Sequence, residues 1–177
     1  MIQTIIFATD LCAFTPYLVE HVIALATRCN ARIIVVHAVE PMGSLATAMV
    51  QTYFPGDIVK ELTEEGSDVI LSSIKSQLID ILADEFVEND EQFDQYVEVI
   101  VEAGKPADVI LKYINDKNAD LVIVGSHSPE SLTNYNVGSV TNKILQMTKV
   151  PVYMVPLTSQ CLDLQAKINA PLKPKLL

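Results

Sequence analysis

Between Ile2 and Ala8 the chain reads IQTIIFA, a β-branched and aromatic run that predicts a buried strand ending at Thr9-Asp10. From Tyr17 to Cys29 the period changes. Leu18, Val22, Leu25, Ala26 and Cys29 recur at helical spacing, and Thr15-Pro16 predicts a threonine N-cap with proline in the first turn. Arg32 to Val39 (RIIVVHAV) is apolar almost throughout, the pattern of a strand covered on both faces. Glu40 to Gly66 has no clear period and is interrupted by Pro41, Gly43, Pro55 and Gly56. It reads as a long loop with one short helix. Ser67 to Val87 is helical again, with Val69, Ile70, Ile74, Leu78, Ile81, Leu82 and Ala83 forming one stripe.

Asn89 to Asp94 reads as an acidic turn. From Tyr96 to Ala103 apolar and polar positions alternate. Val97, Val99 and Val101 face one way, and Glu98 and Glu102 face the other with Tyr96 and Ile100. A half-polar strand suits a sheet edge. Lys105-Pro106 opens a helix to about Lys117, Asp120 to Val124 is a buried strand, and Val137 to Thr148 is a helix. A last strand, Val152 to Val155, is bracketed by Pro151 and Pro156, which again favours an edge. Strands alternating with helical crossovers predict an α/β fold, a doubly wound parallel sheet with helices on both faces. One domain is expected over residues 1–157. The segment 158–177, with two prolines and three lysines, is expected to be a loosely packed tail.

Composition narrows the function. Half of the 177 residues are hydrophobic, which excludes a disordered chain. No apolar run is long enough to span a bilayer, and MIQTIIFATD lacks the regions of a signal peptide, so a cytoplasmic protein without a membrane is expected. The net charge of −10 argues against a nucleic-acid partner, which needs a basic stripe. A small anion held by backbone N–H groups is still allowed. Cys12, Cys29 and Cys161 have no metal spacing and read as free thiols, with Cys12, near a crevice mouth, the more reactive. His21, His37 and His127 are scattered and form no metal motif.

Candidate chemistry lies at strand ends. In open α/β sheets ligands bind beyond the carboxyl ends of strands where the strand order reverses. Thr9-Asp10 and Gly125-Ser126 are such ends, and they share one crevice if their strands are neighbours. Glycine at 125 would let a ligand approach the backbone. Gly138-Ser139-Val140-Thr141 then begins a helix whose free N–H groups and dipole favour an anion, with Ser139 and Thr141 as added hydroxyl donors. Asp10 can accept from ribose hydroxyls or hold a hydrated cation. Each piece also has a plainer reading: Gly125 as a strand terminator, Ser139 as a helix cap, Asp10 as loop chemistry, His127 as a loop-packing residue and His37 as a satisfied core or crevice-edge residue.

The stretch VIVGSHSPESLTNYNVGSVTNKI carries a resemblance as well. Its Gly125, the position of Ser128, nine further residues, and Gly138-Ser139 keep the spacing of G-x2-G-x9-G-[ST], the signature of the universal stress protein family. Ala8-Thr9-Asp10 resembles that family's first strand end, VVHAVE (Val35 to Glu40) its second, and KVPVYMVP (Lys149 to Pro156) its last strand. The likeness spans roughly residues 1–157.

What the resemblance implies is a five-stranded sheet of order 3-2-1-4-5 and binding of an adenine nucleotide: ATP, or AMP or ADP, with Mg2+ as a possible companion. Ala8, Thr9 and Asp10 would lie by the adenosine, and the Ala38 backbone would contact adenine. Val124, Gly125 and Ser128 would embrace ribose and phosphates, and Gly138, Ser139, Val140 and Thr141 would bind phosphates. A homodimer through Val152, Tyr153, Met154 and Val155 is implied too. The chain departs from the signature at Ser128, followed by Pro129, where the second glycine is expected. Serine tolerates positive φ poorly and proline disfavours a helical residue before it, so a different loop path is expected. Three functions stay open: a nucleotide-binding stress regulator or sensor, a dimer acting only through protein contacts, and at most a slow ATPase. No GxxxxGK[ST] motif and no clearly placed general base supports an efficient enzyme.

Overall fold

Alternate side chains of a strand point to opposite faces, so each apolar strand builds two cores at once. In β1 (Thr4–Ala8), Ile5 and Phe7 enter one core while Ile6 and Ala8 enter the other. β2 (Arg32–Val39) divides in the same way, with Ile33 and Val35 against Ile34 and Val36. β4 (Leu121–Gly125) places Leu121 and Ile123 on the first face and Val122 and Val124 on the second. The first face is covered by α1 (Thr15–Cys29) and α2 (Gly66–Phe86), through Leu18, Val19, Val22, Leu78 and Leu82. The second is covered by α3 (Pro106–Asp116) and α4 (Ser139–Met147), through Val109, Ile110, Ile114 and Ile144. Burying each such side chain contributes about 1.5–3 kcal/mol.

β3 (Val97–Ala103) and β5 (Val152–Val155) complete a five-stranded sheet of order β3-β2-β1-β4-β5, parallel throughout. The expected doubly wound architecture is therefore present. This computed structural model describes residues 1–40, 52, 66–86, 96–127 and 137–158. Most of the 40–66 segment, the turn at 89–94, Ser128, Cys161 and the tail from 159 lie outside the described residues. Among the described residues no helix is long and apolar enough to cross a membrane.

Three local expectations are corrected. Thr15 does not cap α1: Phe14 occupies the cap position without a side-chain bond, and the buried Thr15 hydroxyl lies 3.1 Å from Thr9 Oγ1. The helix is thereby pinned to the end of β1 rather than closed on itself. The stripe of α2 reaches the core only at Leu78 and Leu82, and Ile74 and Ala83 are half-buried. Val69 and Ile70 are 70% and 53% exposed, and the Ile81 side chain lies outside the described set. β5 is an edge strand as expected, but of the four residues named for a homodimer surface Tyr153 and Met154 are exposed, Val152 is half-buried and Val155 is only 1% exposed. Val155 faces inward because it pairs with Gly125 and packs in the first core.

The start of β4 is fixed to β1 by one carboxylate. Asp120 Oδ2 accepts the N–H groups of Gln3 at 2.8 Å and Thr4 at 3.0 Å. Those two backbone bonds hold the Asp120 carboxyl below its ordinary range. With β1 and β4 in register from Ile5↔Leu121 to Phe7↔Ile123, their carboxyl ends emerge side by side.

Candidate functional site

The strand order reverses between β1 and β4, and a cleft of about 210 Å³ opens at their carboxyl ends. It is bordered by Ala8, Thr9 and Asp10 after β1, Ala38 from β2, and Val124 and Gly125 from β4. Gly138, Ser139, Val140 and Thr141 at the start of α4 close another side. Every described residue named for the nucleotide site in the sequence borders this one cleft. Ser128 lies outside the described residues.

The polar groups of Thr9 all serve the scaffold. Its N–H bonds the Val36 carbonyl at 3.2 Å, and its carbonyl accepts His37 Nδ1–H at 2.8 Å. Its hydroxyl accepts the Leu11 N–H at 3.1 Å, beside Thr15. Asp10 is exposed, and its Oδ1 accepts the Cys12 N–H at 3.2 Å. Between them Leu11 is held at φ 58°, a left-handed conformation unfavourable for a leucine. Cys12 departs from expectation: burial, reinforced by the hydrogen bond to Asp10, pushes its thiol up to about 12. Such a thiol is poorly reactive, because the thiolate is the nucleophile.

The two glycines are there for packing. A Cβ on Gly125 would stand 2.7 Å from Leu157 Cδ1 and 3.6 Å from Leu18 Cδ1. Its missing side chain makes room for Leu157, which borders the same cleft. A Cβ on Gly138 would meet His127 Cα at 3.2 Å. Gly138 N–H donates to the Ser126 carbonyl at 2.8 Å, so the exit of β4 and the entry of α4 lie against each other.

Donors then accumulate at the helix start. The α4 ladder begins with Asn142 N–H on the Gly138 carbonyl at 2.8 Å, so the N–H groups of Ser139, Val140 and Thr141 precede it. Ser139 is exposed and makes no capping bond, which removes its plainer reading as a cap. The Thr141 hydroxyl is not a free donor as expected: it is buried and donates to the Gly125 carbonyl at 2.8 Å. His127 borders the same cleft. Ser126 Oγ accepts the Leu157 N–H at 2.9 Å and lies 2.9 Å from His127 Nδ1. His127 Nε2, the other ring nitrogen, is buried and has no partner among the described residues.

The arrangement combines backbone N–H groups on a helix dipole, a serine hydroxyl and an exposed carboxylate with apolar walls from Leu18, Pro106, Ile110, Ile144 and Leu157. Sequence reading missed those walls. Pro106 could have been found, since it opens the helix after β3 at the same end of the sheet. Leu157 gives no signal of its own, because it lies beyond Pro156 and reaches the cleft only by folding over Gly125. Among the described residues no group of three or more His, Cys, Asp or Glu could hold a metal ion.

Comparison with known proteins agrees with this architecture. Universal stress protein MJ0577 of Methanocaldococcus jannaschii is 24% identical over 167 residues, covering 88% of this chain and 95% of that protein. Its solved structure superposes with a TM-score of 0.66 at 22% identity, over 89% of this chain and 98% of the other. A universal stress protein in complex with cAMP matches with a TM-score of 0.53 at 19% identity, over 88% and 97%. An Arabidopsis thaliana family protein with AMP bound matches at 0.52 and 13% identity, over 89% and 94%. These likenesses carry the fold. A model of the Universal stress protein family matches residues 1–156, and the chain therefore belongs to that family.

Proposed function

We propose that this chain binds an adenine nucleotide in the cleft between β1, β4 and α4 and acts as a stress-response regulator or sensor. The observation that carries the reading is the set of donors on one side of the cleft: the N–H groups of Ser139, Val140 and Thr141 on the α4 dipole, beside an orphaned His127 Nε2. A buried polar atom without a partner is costly, and a hydrogen-bonding group of a ligand would relieve it. Opposite stands Asp10, an acceptor for ribose hydroxyls. The adenine would lie by the Ala38 backbone and Pro106, and the phosphate by Gly138 to Thr141. Relatives of the same fold that hold cAMP and AMP support this choice of ligand.

Mg2+ fits as a companion of a polyphosphate rather than as a resident metal. Asp10 would be its carboxylate ligand, and a magnesium site of this kind uses one or two carboxylates plus phosphates. In this reading the protein binds and reports; no catalytic residue is assigned. A homodimer through β5 belongs to the same proposal. Tyr153 and Met154 are exposed on an edge strand, and an uncovered edge favours pairing with a second copy.

The test is to purify the protein, denature it, and identify any released small molecule by chromatography and mass spectrometry. Release of an adenine nucleotide near one per chain supports the proposal. A chain that releases none and takes up none on soaking argues for the alternative, a dimer acting through protein contacts alone. Sedimentation of wild type and Met154→Lys tests the β5 edge, since the lysine should shift a dimer toward monomer.

A further inference from the structure

We infer that the cleft sorts adenine nucleotides by charge, taking one that carries a single phosphate group ahead of one that carries three. The inference rests on the nucleotide reading above and concerns which member of that class the site accepts. Asp10 is the only residue of the cleft lining with a formal charge, and no Lys or Arg borders it among the described residues. The sequence of the connecting stretch, GSHSPESLTNYNVG from Gly125 to Gly138, also contains no Lys or Arg, and its one ionisable acid is Glu130.

Three described lysines on or next to α3 and α4 are paired with carboxylates. Lys143 of α4 reaches Asp108 of α3 at 2.5 Å. Its hydrogen bond holds the Asp108 carboxyl below the ordinary range, and Lys105 adds to that attraction. Lys112 pairs with Glu102 at 2.9 Å, and Lys117 with Glu98 at 2.6 Å. The whole chain carries −10.

Phosphate binding here therefore depends on partial charges. A helix N-terminus presents the equivalent of about half a unit charge, to which the Ser139 hydroxyl and the unpartnered His127 Nε2 add hydrogen-bonding groups. That suits one phosphate group. Each further phosphate brings negative charge that meets no side-chain cation among the described residues of the cleft, near a fixed carboxylate and where screening is weaker than in bulk water. A divalent cation shared between Asp10 and a polyphosphate would offset the penalty, so the sorting is expected to be strongest without Mg2+.

The experiment is calorimetric titration of the full chain with AMP, ADP and ATP in EDTA, at about 0.05 M and about 0.5 M salt, which span the range where screening changes. The expected order is AMP, then ADP, then ATP, with ATP at least about tenfold weaker than AMP at low salt. The gap should shrink at high salt. Asp10→Asn keeps an Oδ1 acceptor for the Cys12 N–H and removes the charge, so it should narrow the AMP-to-ATP ratio whatever it does to overall affinity. ATP binding as tightly as AMP in EDTA overturns the inference and leaves the nucleotide reading intact. A gap indifferent to salt and to Asp10→Asn also overturns it, because fit rather than charge would then be sorting. If AMP itself fails to bind at millimolar concentration, the nucleotide reading falls and this inference with it.

Discussion

The N–H of Leu157 donates to the hydroxyl of Ser126 at 2.9 Å in a buried setting. That bond joins the second residue after β5 to the residue after β4, beside the cleft. Ser126→Ala leaves the Leu157 N–H without its acceptor and His127 Nδ1 without its hydrogen-bond partner. A loss of about 1–3 kcal/mol in unfolding free energy is expected, since a buried group left unsatisfied loses its full desolvation cost. Urea denaturation followed by circular dichroism measures it, and a change within about 0.5 kcal/mol, ordinary for a surface substitution, would contradict the buried role.

Gly125 and Leu157 should be energetically coupled. Gly125→Ala pushes a methyl to 2.7 Å from Leu157 Cδ1, and Leu157 is 2% exposed, so the leucine has little space to move into. Overpacking of this kind costs about 1–3 kcal/mol. In the double variant Gly125→Ala/Leu157→Ala the clash disappears. A double-mutant cycle should therefore show the pair less destabilised than the sum of the singles by at least about 0.5 kcal/mol. Strict additivity would mean that Gly125 is glycine for some other reason.

Cys12 should be a slow thiol. With its pKa pushed up to about 12 by burial and by Asp10, its thiolate fraction near pH 8 is on the order of a thousandfold below that of an ordinary thiol. Iodoacetamide labelling read by peptide mass spectrometry should modify Cys12 far more slowly in the folded protein than after denaturation. Asp10→Asn should speed it. Equal rates in the two states would refute the burial argument. Both Cys12 and Cys29 are free, as expected from their spacing.

Much of this fold was legible because parallel strands buried on both faces are written as short continuous apolar runs. TIIFA, RIIVVHAV and LVIVG each supply both cores by simple alternation. The two edges were legible for the opposite reason: Glu98 and Glu102 leave one face of β3 half polar, and prolines bracket β5. Less legible was which apolar residue meets what. The α2 stripe is continuous in sequence, yet Val69 and Ile70 are exposed, because a helical period reports a face and not how far along that face a neighbour extends. The strand ends and the glycine spacing pointed to this cleft, but not to the side chains packed against its glycines. Gly125 and Gly138 accommodate Leu157 and His127, contacts distant enough along the chain or loop that no local pattern encodes them.

Acid should weaken the fold partly through Asp120. Its carboxyl is depressed by the Gln3 and Thr4 N–H groups, so its stabilisation is complete above the unfolded value of about 3.9 and is lost as pH falls through the lower folded value. Glu102 and Asp108 are depressed as well, by Tyr113 and Lys143 respectively, and act with the same sign. Urea midpoints should be nearly flat from about pH 7 to about pH 5 and fall below about pH 4. Asp120→Asn should lower the plateau and flatten the acid limb. An acid limb unchanged by Asp120→Asn would remove this carboxylate from the explanation.

The central claim, that an adenine nucleotide occupies the cleft between β1, β4 and α4, is tested most directly by backbone amide NMR during titration with AMP. The amides of Ser139, Val140 and Thr141 precede the helix ladder and would receive the phosphate, and those of Asp10 and Ala38 flank the expected nucleoside. Their signals should move together and saturate along one binding curve, while Arg32 and Lys117 at the opposite end of the sheet stay still. Saturable shifts confined to another surface, or no saturable shift up to millimolar AMP, would contradict the claim.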